Sequence, residues 1–568
     1  MKKGKKITIP IIACLLLLAA AIPLAVALGP TETQQQPFIL ALSLQSQSPP
    51  QPPPKQYTPV TWINPTISNV NVSQDLNITL NGDLNVTETG ELHLIHCILN
   101  VNNGTTPIEY GVSVYGGMFI NEFSTITAIN PSNPYFFKVF EGAVFQLNDS
   151  WVEYCGHSSG SWPDEQGLAI RADNAWIENN TLTLGRSGLI LYGSQGSTIL
   201  NNNATDNLGA YGIRLDNSWH NNLTGNRAIN NWQGIRLINS SYNNLSGNTA
   251  TDSGVEGFAL SDSSYNNLSG NTATNYNAWA GFYLYHGSNN NLTGNTATNN
   301  NPGFYLYAST DNTLSGNTAT NNNNAFYLYY TSLRNNLSGN TATNNNNGFY
   351  LGSSSDLNTL TGNIAANNTY YGFQIYSSSN NNLTGNVAIN CATGYAWSGV
   401  SSNNDFTGSV VANWLRVNVT DVLGLPISSA HVKVENVTVV YATSYFSGSD
   451  PTTGSNGLTP WFAVPYKTFT GPVTMTDNST TITVWYSTLW SVANFSDNSR
   501  TVSMSMSHVE NFTVVSWQST PLKTMAPMLL LFAMPSGVSP IVYAALGIAA
   551  VIGVAATALL YYFRRLRV

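Results

Sequence analysis

A repeated unit of 22 to 24 residues constrains the fold of this chain more than any other feature. The unit reads NNLSGNTATNN, a short variable bridge, GFYLY and a polar turn, and it recurs between Ile177 and Phe406. Each unit contains one apolar anchor residue; the anchors are Ile177, Ile199, Leu223, Leu245, Leu268, Leu292, Leu314, Leu337, Leu360, Leu383 and Phe406. A register kept over so many copies predicts stacked units rather than independent globular domains.

The consensus favours a β-helix rung over a leucine-rich horseshoe, the other architecture with a period of this length. Thr-Ala-Thr and Phe-Tyr-Leu-Tyr alternate with period two, Asn and Gly interrupt every few residues, and no apolar stripe of helical period is present. Each unit is therefore expected to form two or three short strands joined by tight bends. Successive rungs should stack at the β spacing of about 4.8 Å.

Equivalent positions of stacked rungs form columns along the axis. The Leu of NNLSGN, the Ala of NTATNN, and the Phe and Leu of GFYL are predicted to point inward. The asparagine before Thr-Ala-Thr is predicted to lie at a bend, where its amide bonds neighbouring rungs or the turn backbone and tolerates a left-handed conformation. This column comprises Asn226, Asn248, Asn271, Asn295, Asn317, Asn340, Asn363 and Asn386.

The pattern NN-L-[ST]-G-N-x-A-x-N-N…G-[IF]-x-L resembles the repeat of NosD-like proteins, within the pectate-lyase-like superfamily. The resemblance implies an all-β, right-handed parallel β-helix. Weaker strand-rich sequence from Thr58 to Trp176 is expected to supply the first rungs, so that the β-helix spans 58–412 in roughly fifteen turns. The fold implies no single activity, because lyases, hydrolases, epimerases, adhesins and surface-layer components share it.

Residues 413–518 are expected to form a β-sandwich that acts as a stalk. The opening V-x-V-x-D-x-x-G-x-P-I-x-x-A-x-V, which starts at Val417, resembles carboxypeptidase-regulatory-like and Ig-like sandwiches. Turn signals about every ten residues continue to Ser516 and are typical of such a domain.

The N-terminal segment 1–28 is predicted to be a signal peptide. Four lysines precede an apolar run that ends in Ala25-Val26-Ala27, which is the pattern of a secretory signal; an uncleaved signal anchor is the alternative. Residues 29–57 include the Pro/Gln/Ser-rich sequence SQSPPQPPPKQ and are predicted to be an extended linker.

The C-terminal segment is predicted to cross a membrane once. Residues 541–563 carry no charge and are followed by Arg564, Arg565 and Arg567. The positive-inside rule therefore predicts a juxtamembrane segment at 519–540, a transmembrane helix at 541–563 and a cytoplasmic tail at 564–568, with everything before them outside the cell. The expected location is the cell surface.

The charge of the exposed part excludes a nucleic-acid partner. Only 8% of residues are charged. Without the terminal lysines and arginines, 13 basic residues remain against 28 acidic ones, and this balance repels phosphate backbones. About twenty N-x-[ST] sequons, among them Asn71, Asn148, Asn244, Asn436 and Asn511, are compatible with a glycoprotein, although inside the repeats the same asparagines also suit a structural role.

Carboxylates within the regular repeat are expected to be solvated turn residues, because they fall at different points of the rung. These are Asp216, Asp252, Glu256, Asp262, Asp311 and Asp356. The irregular rungs are richer, and an active site, if present, is expected there. The candidates are Glu141, Asp149, Glu153, His157, Asp164, Glu165, Arg171, Asp173 and Glu178. A charged edge without catalytic function is the competing interpretation.

No cofactor and no metal site is predicted, although the resemblance to NosD brings copper into consideration. HLIHC offers His93, His96 and Cys97, and CGH offers Cys155 and His157. Strand alternation is expected to place His96 on the face opposite His93 and Cys97, which leaves only Cys97, Cys155 and His157 to converge. A Cys97–Cys155 disulfide has no support from spacing.

Tyrosines are the candidate ligand-binding residues. If Phe and Leu of GFYLY point inward, the tyrosines form two outward columns, preceded in the first column by Arg214 and Arg236. The two columns comprise Tyr283, Tyr305, Tyr327 and Tyr350, and Tyr285, Tyr307, Tyr329 and Tyr376. Such an exposed aromatic face suits sugar rings or a partner protein, while mutual stacking that stabilises the sheet is the structural alternative.

These observations favour a non-catalytic surface protein that binds an envelope polysaccharide or a surface protein. Two alternatives stay open. The chain is either a polysaccharide lyase, hydrolase or epimerase with its site between Glu141 and Glu178, or a purely structural surface-layer or stalk component. Carboxylates that converge in a groove would favour the enzyme, and a flat tyrosine face would favour binding.

Overall fold

The computed structural model describes residues 57–104, 109–157, 159–207, 209–252, 254–275, 279–435, 441–442, 452–486 and 491–519. Within these ranges the regular structure is entirely β, and no helix is present that could cross a membrane. The predicted signal peptide, the transmembrane helix and the tail lie outside the described residues, as do the linker and the juxtamembrane segment apart from Tyr57 and Ser519.

Three parallel sheets run along the β-helix, and the chain visits them in turn. In the described residues, sheet 1 contains Thr58–Ile63, Leu76–Asn81, Ile98–Asn102, Thr125–Ala128, Trp151–Glu153, Thr181–Thr183, Asn203–Thr205, Arg227–Ile229, Thr249–Thr251, Thr272–Thr274, Thr296–Thr298, Thr318–Thr320, Thr341–Thr343, Ile364–Ala366, Val387–Ile389 and Val410–Asp421. Sheet 2 contains Thr66–Ile67, Leu84–Val86, Gly111–Val114, Phe136–Val139, Leu168–Ile170, Leu189–Tyr192, Tyr211–Asp216, Gln233–Ile238, Phe258–Ser261, Phe282–Tyr285, Phe304–Tyr307, Asn324–Tyr329, Asn347–Gly352, Tyr371–Tyr376 and Thr393–Ser398. Sheet 3 contains Val70–Gln74, Glu91–Ile95, Gly117–Asn121, Val144–Asn148, Trp176–Glu178, Thr198–Leu200, Asn222–Thr224, Asn244–Ser246, Asn267–Ser269, Asn291–Thr293, Thr313–Ser315, Asn336–Ser338 and Thr359–Thr361.

The register of these sheets confirms the predicted parallel β-helix. The anchor leucines pair along sheet 3, as Leu223 does with Leu245, and equivalent alanines pair along sheet 1. Within one rung, Leu292, Ala297, Phe304 and Leu306 are all completely buried. The predicted inward positions therefore form one continuous apolar core, and the fifteen strands of sheet 2 in the described chain correspond to fifteen turns.

The asparagine column predicted at the bend forms a continuous hydrogen-bonded ladder. The side-chain amide of Asn226 donates to Asn248 Oδ1 at 3.0 Å and to the Ile199 carbonyl at 2.8 Å. The backbone N–H of Asn226 donates to the same Asn248 oxygen at 2.9 Å. The left-handed conformation at this bend belongs to the preceding glycine, Gly225 with φ 66°, and not to the asparagine as predicted.

Two further asparagine ladders lie at the other bends, and sequence analysis did not single them out. One precedes sheet 3 and includes the bond from Asn290 to Asn312 at 3.1 Å. The other follows sheet 1 and includes the bond from Asn322 to Asn345 at 3.0 Å. Buried amides thus hold all three corners of the rung together, because a buried amide requires hydrogen-bond partners.

The strand Val410–Asp421 joins the β-helix directly to the C-terminal strands. Its first residues pair in parallel with Val387–Ile389, whereas Leu415 onward pairs with His508–Ser519. The predicted boundary at residue 413 therefore falls inside a strand. Phe469 packs against Phe406 and Tyr395, with ring centroids 5.2 and 5.1 Å apart, and so covers the last rung.

The C-terminal strands form two groups that share an apolar core. The group continuous with sheet 1 adds Tyr441–Ala442, Phe462–Phe469, Met475–Asp477, Ser491–Phe495 and His508–Ser519. A separate three-stranded antiparallel sheet contains His431–Glu435, Thr480–Trp485 and Ser499–Val502. Val417, Val432, Phe462, Ile482 and Phe512 are buried between the two groups.

Candidate functional site

The tyrosines of sheet 2 form two columns on the outer side of the β-helix. Tyr283 pairs with Tyr305, and Tyr285 pairs with Tyr307. The alternating Phe and Leu residues of the same strands are fully buried, so the orientation predicted from the FYLY pattern is confirmed. We call the eight residues Tyr283, Tyr285, Tyr305, Tyr307, Tyr327, Tyr329, Tyr350 and Tyr376 the tyrosine face.

A second aromatic column inside the core supports the tyrosine face. Phe282, Phe304, Phe326 and Phe349 stack with centroid separations of 4.7 to 4.9 Å and interplanar angles of 4 to 6°. The buried phenylalanines hold the strands in register, because their rings repeat at the rung spacing. The tyrosines lie on the other side of the same strands and therefore have the same spacing.

Most rings of the tyrosine face stack on their neighbours. Tyr283 and Tyr305 are 5.1 Å apart at 25°, and Tyr305 and Tyr327 are 4.9 Å apart at 8°. Tyr350 instead meets Tyr327 edge-on at 75°. Its ring lies over Gly352, where an added Cβ would come within 2.6 Å of the ring. The first three rings of this column therefore form a regular stack.

Stacking leaves the tyrosine face less exposed than predicted. Tyr376 is 46% exposed, whereas the other seven tyrosines are half-buried. Burial raises the pKa of Tyr305 to about 12, and burial likewise raises the pKa values of Tyr283 and Tyr327 well above the ordinary value. The phenols therefore stay protonated at physiological pH and retain their hydrogen-bond donors.

Two carboxylates near the start of the tyrosine face are buried rather than solvated, so the prediction for Asp216 and Glu256 was wrong. Asp216 is 5% exposed and accepts two hydrogen bonds from Arg214, at 3.1 and 2.8 Å. Glu256 is 6% exposed and accepts a hydrogen bond from the amide of Gln233. Burial raises the pKa of Glu256, and the charge of Arg236 opposes that rise only in part.

The cluster Gln233–Arg236–Glu256 is the arrangement that sequence analysis missed. Gln233 lies between the two charged residues, since its Oε1 accepts from Arg236 at 2.9 Å while its Nε2 donates to Glu256. Gln233 and Glu256 are 23 positions apart and occupy equivalent positions of successive rungs, so the repeat period could have predicted that they are neighbours. Strand alternation gave no indication that both side chains are buried.

The carboxylates predicted in the irregular rungs do not converge. Lys138 pairs with Glu165 at 2.9 Å, and Arg171 pairs with Asp164 at 2.9 Å. The remaining candidates have separate partners or surroundings. Glu141 is exposed, and His157 contacts Ser159. The other four carboxylates each accept a hydrogen bond from a different side chain: Asp149 from Asn179, Glu153 from Thr127, Asp173 from Gln195 and Glu178 from Trp176. The described residues therefore form local ion pairs rather than a common acid–base site.

A groove of about 460 Å³ lies beside the irregular rungs. Tyr154, Leu184, Arg186 and Asp206 contribute to its lining, and His157 is the catalytic candidate that lines it. The paired carboxylates Glu165 and Asp164 are not among its lining residues. The groove thus lacks the two facing carboxylates that glycoside hydrolysis requires.

The histidines and cysteines that the structure describes do not fit a copper site. His93 bonds Glu91 at 2.6 Å and His96 bonds Asp75 at 2.8 Å, while Cys97 and Cys155 are buried, free thiols. The prediction that His93 and Cys97 share a face was wrong, because His96 has φ 51° and turns the chain between them. Among the described residues, no group of three or more potential ligands is placed to hold a metal ion.

A protein-family model matches the repeat region. The family model described as "Periplasmic copper-binding protein (NosD)" matches residues 157–327 and 277–422. No curated protein sequence matches the chain.

Solved structures that resemble the chain include an epimerase, a phage tailspike and a glucanase domain. The periplasmic alginate epimerase AlgG is 14% identical with a TM-score of 0.36, over 60% of this chain and 78% of that one. Tailspike protein 3 of bacteriophage CBA120 is 12% identical with a TM-score of 0.37, over 68% and 63%. The catalytic domain of a GH87 α-1,3-glucanase is 15% identical with a TM-score of 0.32, over 62% and 64%. The family match and the observed rungs together show that this chain carries a NosD-like, right-handed parallel β-helix.

Proposed function

We propose that this protein is a non-catalytic glycan-binding protein whose tyrosine face holds an extended polysaccharide along the β-helix axis. The observation that carries this proposal is the regular stack of Tyr283, Tyr305 and Tyr327 on the outer surface of sheet 2. The outer edges of the stacked rings offer a sugar an apolar contact surface, and the phenols add hydrogen-bond donors.

The spacing of the rings supports an extended ligand. Rungs repeat every ~4.8 Å, close to the length of one pyranose unit. A polysaccharide that runs parallel to the axis therefore meets one ring per sugar without bending. The half-buried rings are held by their neighbours, so little side-chain entropy is lost when a ligand binds.

An enzymatic function receives no comparable support. The carboxylates Asp164 and Glu165 are engaged with Arg171 and Lys138, and the nearby groove contains neither of them. The copper in the family's description has no matching ligand set in the described residues. We therefore assign neither chemistry to this chain.

We further propose that the protein acts at the cell surface as a single-pass membrane protein. The segments 1–28 and 541–563 have the composition of a signal peptide and a membrane span. The family's description as periplasmic agrees with an exported β-helix. The strands after residue 413 would then act as a sandwich-like stalk between the β-helix and the membrane.

Substitution of the stacked tyrosines tests the proposal. The variant with Tyr283→Ser, Tyr305→Ser and Tyr327→Ser removes three rings that each contribute roughly 0.5–1.5 kcal/mol to an aromatic contact. We expect the affinity for envelope polysaccharide to fall at least about tenfold in affinity electrophoresis of the full-length protein. Retention of the β-sheet circular dichroism spectrum shows that the variant is folded.

A second aromatic stack provides the matched control. Tyr242 and Tyr265 are 4.9 Å apart at 3° and each is 51% exposed, but they lie on the bend before sheet 3. The variant with Tyr242→Ser and Tyr265→Ser should bind the polysaccharide normally. Equal binding by wild type and the folded triple variant would refute the platform, and loss of folding by that variant would make the columns structural. The variant with all three tyrosines replaced by phenylalanine keeps the rings and lacks the hydroxyl groups. Its affinity therefore separates the contribution of the rings from that of the hydrogen bonds.

A further inference from the structure

Two arginines precede the tyrosine face in its first column, and their environments differ. The guanidinium of Arg214 has close partners on its edge and its faces: it donates twice to Asp216 and lies 4.0 Å from the ring centroid of Trp162 and 4.5 Å from that of Tyr211. These contacts occupy both the polar edge and the flat surfaces of the guanidinium. Arg214 therefore has a structural role in the sheet.

Arg236 is held less completely. One bond, from Nη1 to Gln233 Oε1, is 2.9 Å long. Nη2 reaches Ser261 Oγ only at 3.5 Å, and Nε is enclosed without a hydrogen-bond partner among the described residues. The enclosed Nε cannot reach a ligand, but the Arg236 side chain is partly exposed, and its two terminal nitrogens carry four N–H donors of which these bonds use two.

A buried scaffold fixes the position of Arg236. Gln233 is 2% exposed and Glu256 is 6% exposed. The Glu256 carboxylate accepts from Gln233 Nε2 and thereby turns Gln233 Oε1 toward Arg236. Burial of two linked polar residues is costly unless their bonds are satisfied, so the orientation of the Arg236 side chain is strongly determined.

We propose that Arg236 forms the terminal subsite of the tyrosine face and donates hydrogen bonds to a hydroxyl or ring oxygen of a neutral sugar. Gln233 and Glu256 are positioning residues in this subsite. The inference rests on the proposed function, because the same polysaccharide occupies the tyrosines. Only Ala259 separates Arg236 from Tyr283 in the column, so the two sites are two rungs, or about 10 Å, apart.

The distribution of charge selects a neutral ligand. The Glu256 carboxylate balances the Arg236 charge within the cluster. From residue 279 to residue 398 the sequence contains one cation, Arg334, against Asp311 and Asp356, and Arg334 already pairs with Asp311 at 2.8 Å. A polyuronate laid along the tyrosine face would therefore meet no free cation of this segment and would gain no net attraction from the balanced Arg236–Glu256 pair.

Binding of defined polysaccharides to the full-length protein tests the subsite. The neutral probes are laminarin and glucomannan, and the acidic probes are polygalacturonate and alginate, in affinity electrophoresis at mildly alkaline pH, which favours the ionised form of Glu256. Arg236→Gln should weaken binding of at least one neutral probe about tenfold, the effect of losing a hydrogen bond to a charged donor. Arg334→Gln, which removes the same charge elsewhere, should bind like wild type.

Substitutions of Glu256 distinguish a positioning role of this residue in the subsite from a role in stabilising the fold alone. Glu256→Gln keeps an acceptor for Gln233 and removes the negative charge, so neutral probes should still bind while binding of acidic probes improves severalfold. Glu256→Ala removes the acceptor and should weaken neutral binding as Arg236→Gln does. An unchanged ratio of neutral to acidic binding in Glu256→Gln would contradict the positioning role.

The outcomes separate the subsite from the proposed function. If Arg236→Gln binds normally while the tyrosine triple variant loses binding, the tyrosine face stands and the Arg236 subsite is wrong. If the folded tyrosine variant binds normally, the proposed function is wrong as well. Preference of wild type for the acidic probes, or no binding of either neutral probe, overturns the neutral ligand class.

Discussion

Each buried asparagine of the repeat uses its side chain in several bonds at once. The Asn295 amide donates to the Leu268 carbonyl at 2.9 Å and to Asn317 Oδ1 at 3.0 Å. Its own Oδ1 accepts from the backbone and the side chain of Asn271, at 2.9 and 3.0 Å. Asn fits this position because it combines a donor and an acceptor on the shortest amide side chain.

We therefore expect Asn295→Ala to destabilise the β-helix strongly. The substitution removes the acceptor of two Asn271 donors and the side-chain donor to the Leu268 carbonyl, while Asn317 Oδ1 keeps only its bond from the backbone N–H of residue 295. Each buried unpaired group costs roughly 1–3 kcal/mol. The midpoint of guanidinium unfolding should fall, with a loss of at least about 2 kcal/mol. Asn291→Ala is the control, since Asn291 lies outside on the same rung and makes a single ladder bond to Asn267 at 3.0 Å. Equal effects of the two substitutions would contradict the importance of the buried ladder.

The sequence was informative about one of the three ladders. The asparagine before Thr-Ala-Thr is isolated by glycine, as in Gly225-Asn226, so its bend position was predictable. The asparagines of the NNL and TNN segments occur in polar runs, and alternation does not show which member of a run turns inward. The tertiary structure decides, because Asn290 is buried while the adjacent Asn291 is exposed.

At the scale of the strand, the FYLY alternation predicted correctly which rings face the core. It did not predict how much of each tyrosine remains exposed, because strand alternation takes no account of the rungs above and below. Tyr305 is covered by Tyr283 and Tyr327 on its two sides. The same limit explains Glu256, whose burial depends on Gln233 in the preceding rung.

The buried phenols should resist ionisation. Burial raises the pKa of Tyr305 to about 12, so in alkaline solution the folded protein retains a proton that the unfolded chain has released. The folded state then binds more protons, and stability falls as pH rises from the ordinary tyrosine pKa of 10.0 toward that value. Ultraviolet absorbance of tyrosinate should show a late-titrating group of tyrosines, followed by unfolding.

The variant with Tyr283→Phe, Tyr305→Phe and Tyr327→Phe isolates this effect. It should lose part of the late-titrating absorbance and unfold at a higher pH than wild type, because phenylalanine has no proton to release. Titration of all tyrosines near the ordinary value would contradict the half-buried stack.

For the whole molecule, the repeated rungs were predictable from the sequence, but the C-terminal end of the β-helix was not. The regular period predicted the β-helix, whereas the strand that crosses residue 413 and the cover that Phe469 places on the last rung both depend on pairings between distant residues. Phe469 is separated from its partner Phe406 by a segment with a different pattern. Local periodicity contains no information about such contacts.

Repetition also predicts that a whole rung is removable. Deletion of residues 296–317 joins Asn295 to Thr318 and leaves the motif GNTAT intact. The shortened protein should fold cooperatively and be shorter by about 4.8 Å. Deletion of residues 296–306, half of a repeat, should prevent folding because it shifts inward residues to the outside. Circular dichroism and guanidinium unfolding measure both outcomes, and a folded half-rung deletion would contradict the register.

The asparagine ladders also have a direction. In the buried ladder before sheet 1, Asn226 donates to Asn248, Asn248 to Asn271 and Asn271 to Asn295, so each of these side-chain bonds runs from an earlier rung to a later one. A growing β-helix therefore presents free amide hydrogens at its C-terminal end, and the next rung supplies the oxygens. A rung that has already formed can therefore act as a template for the segment that follows it. A polypeptide released from its N-terminus can thus fold vectorially, each turn being polarised by those already in place.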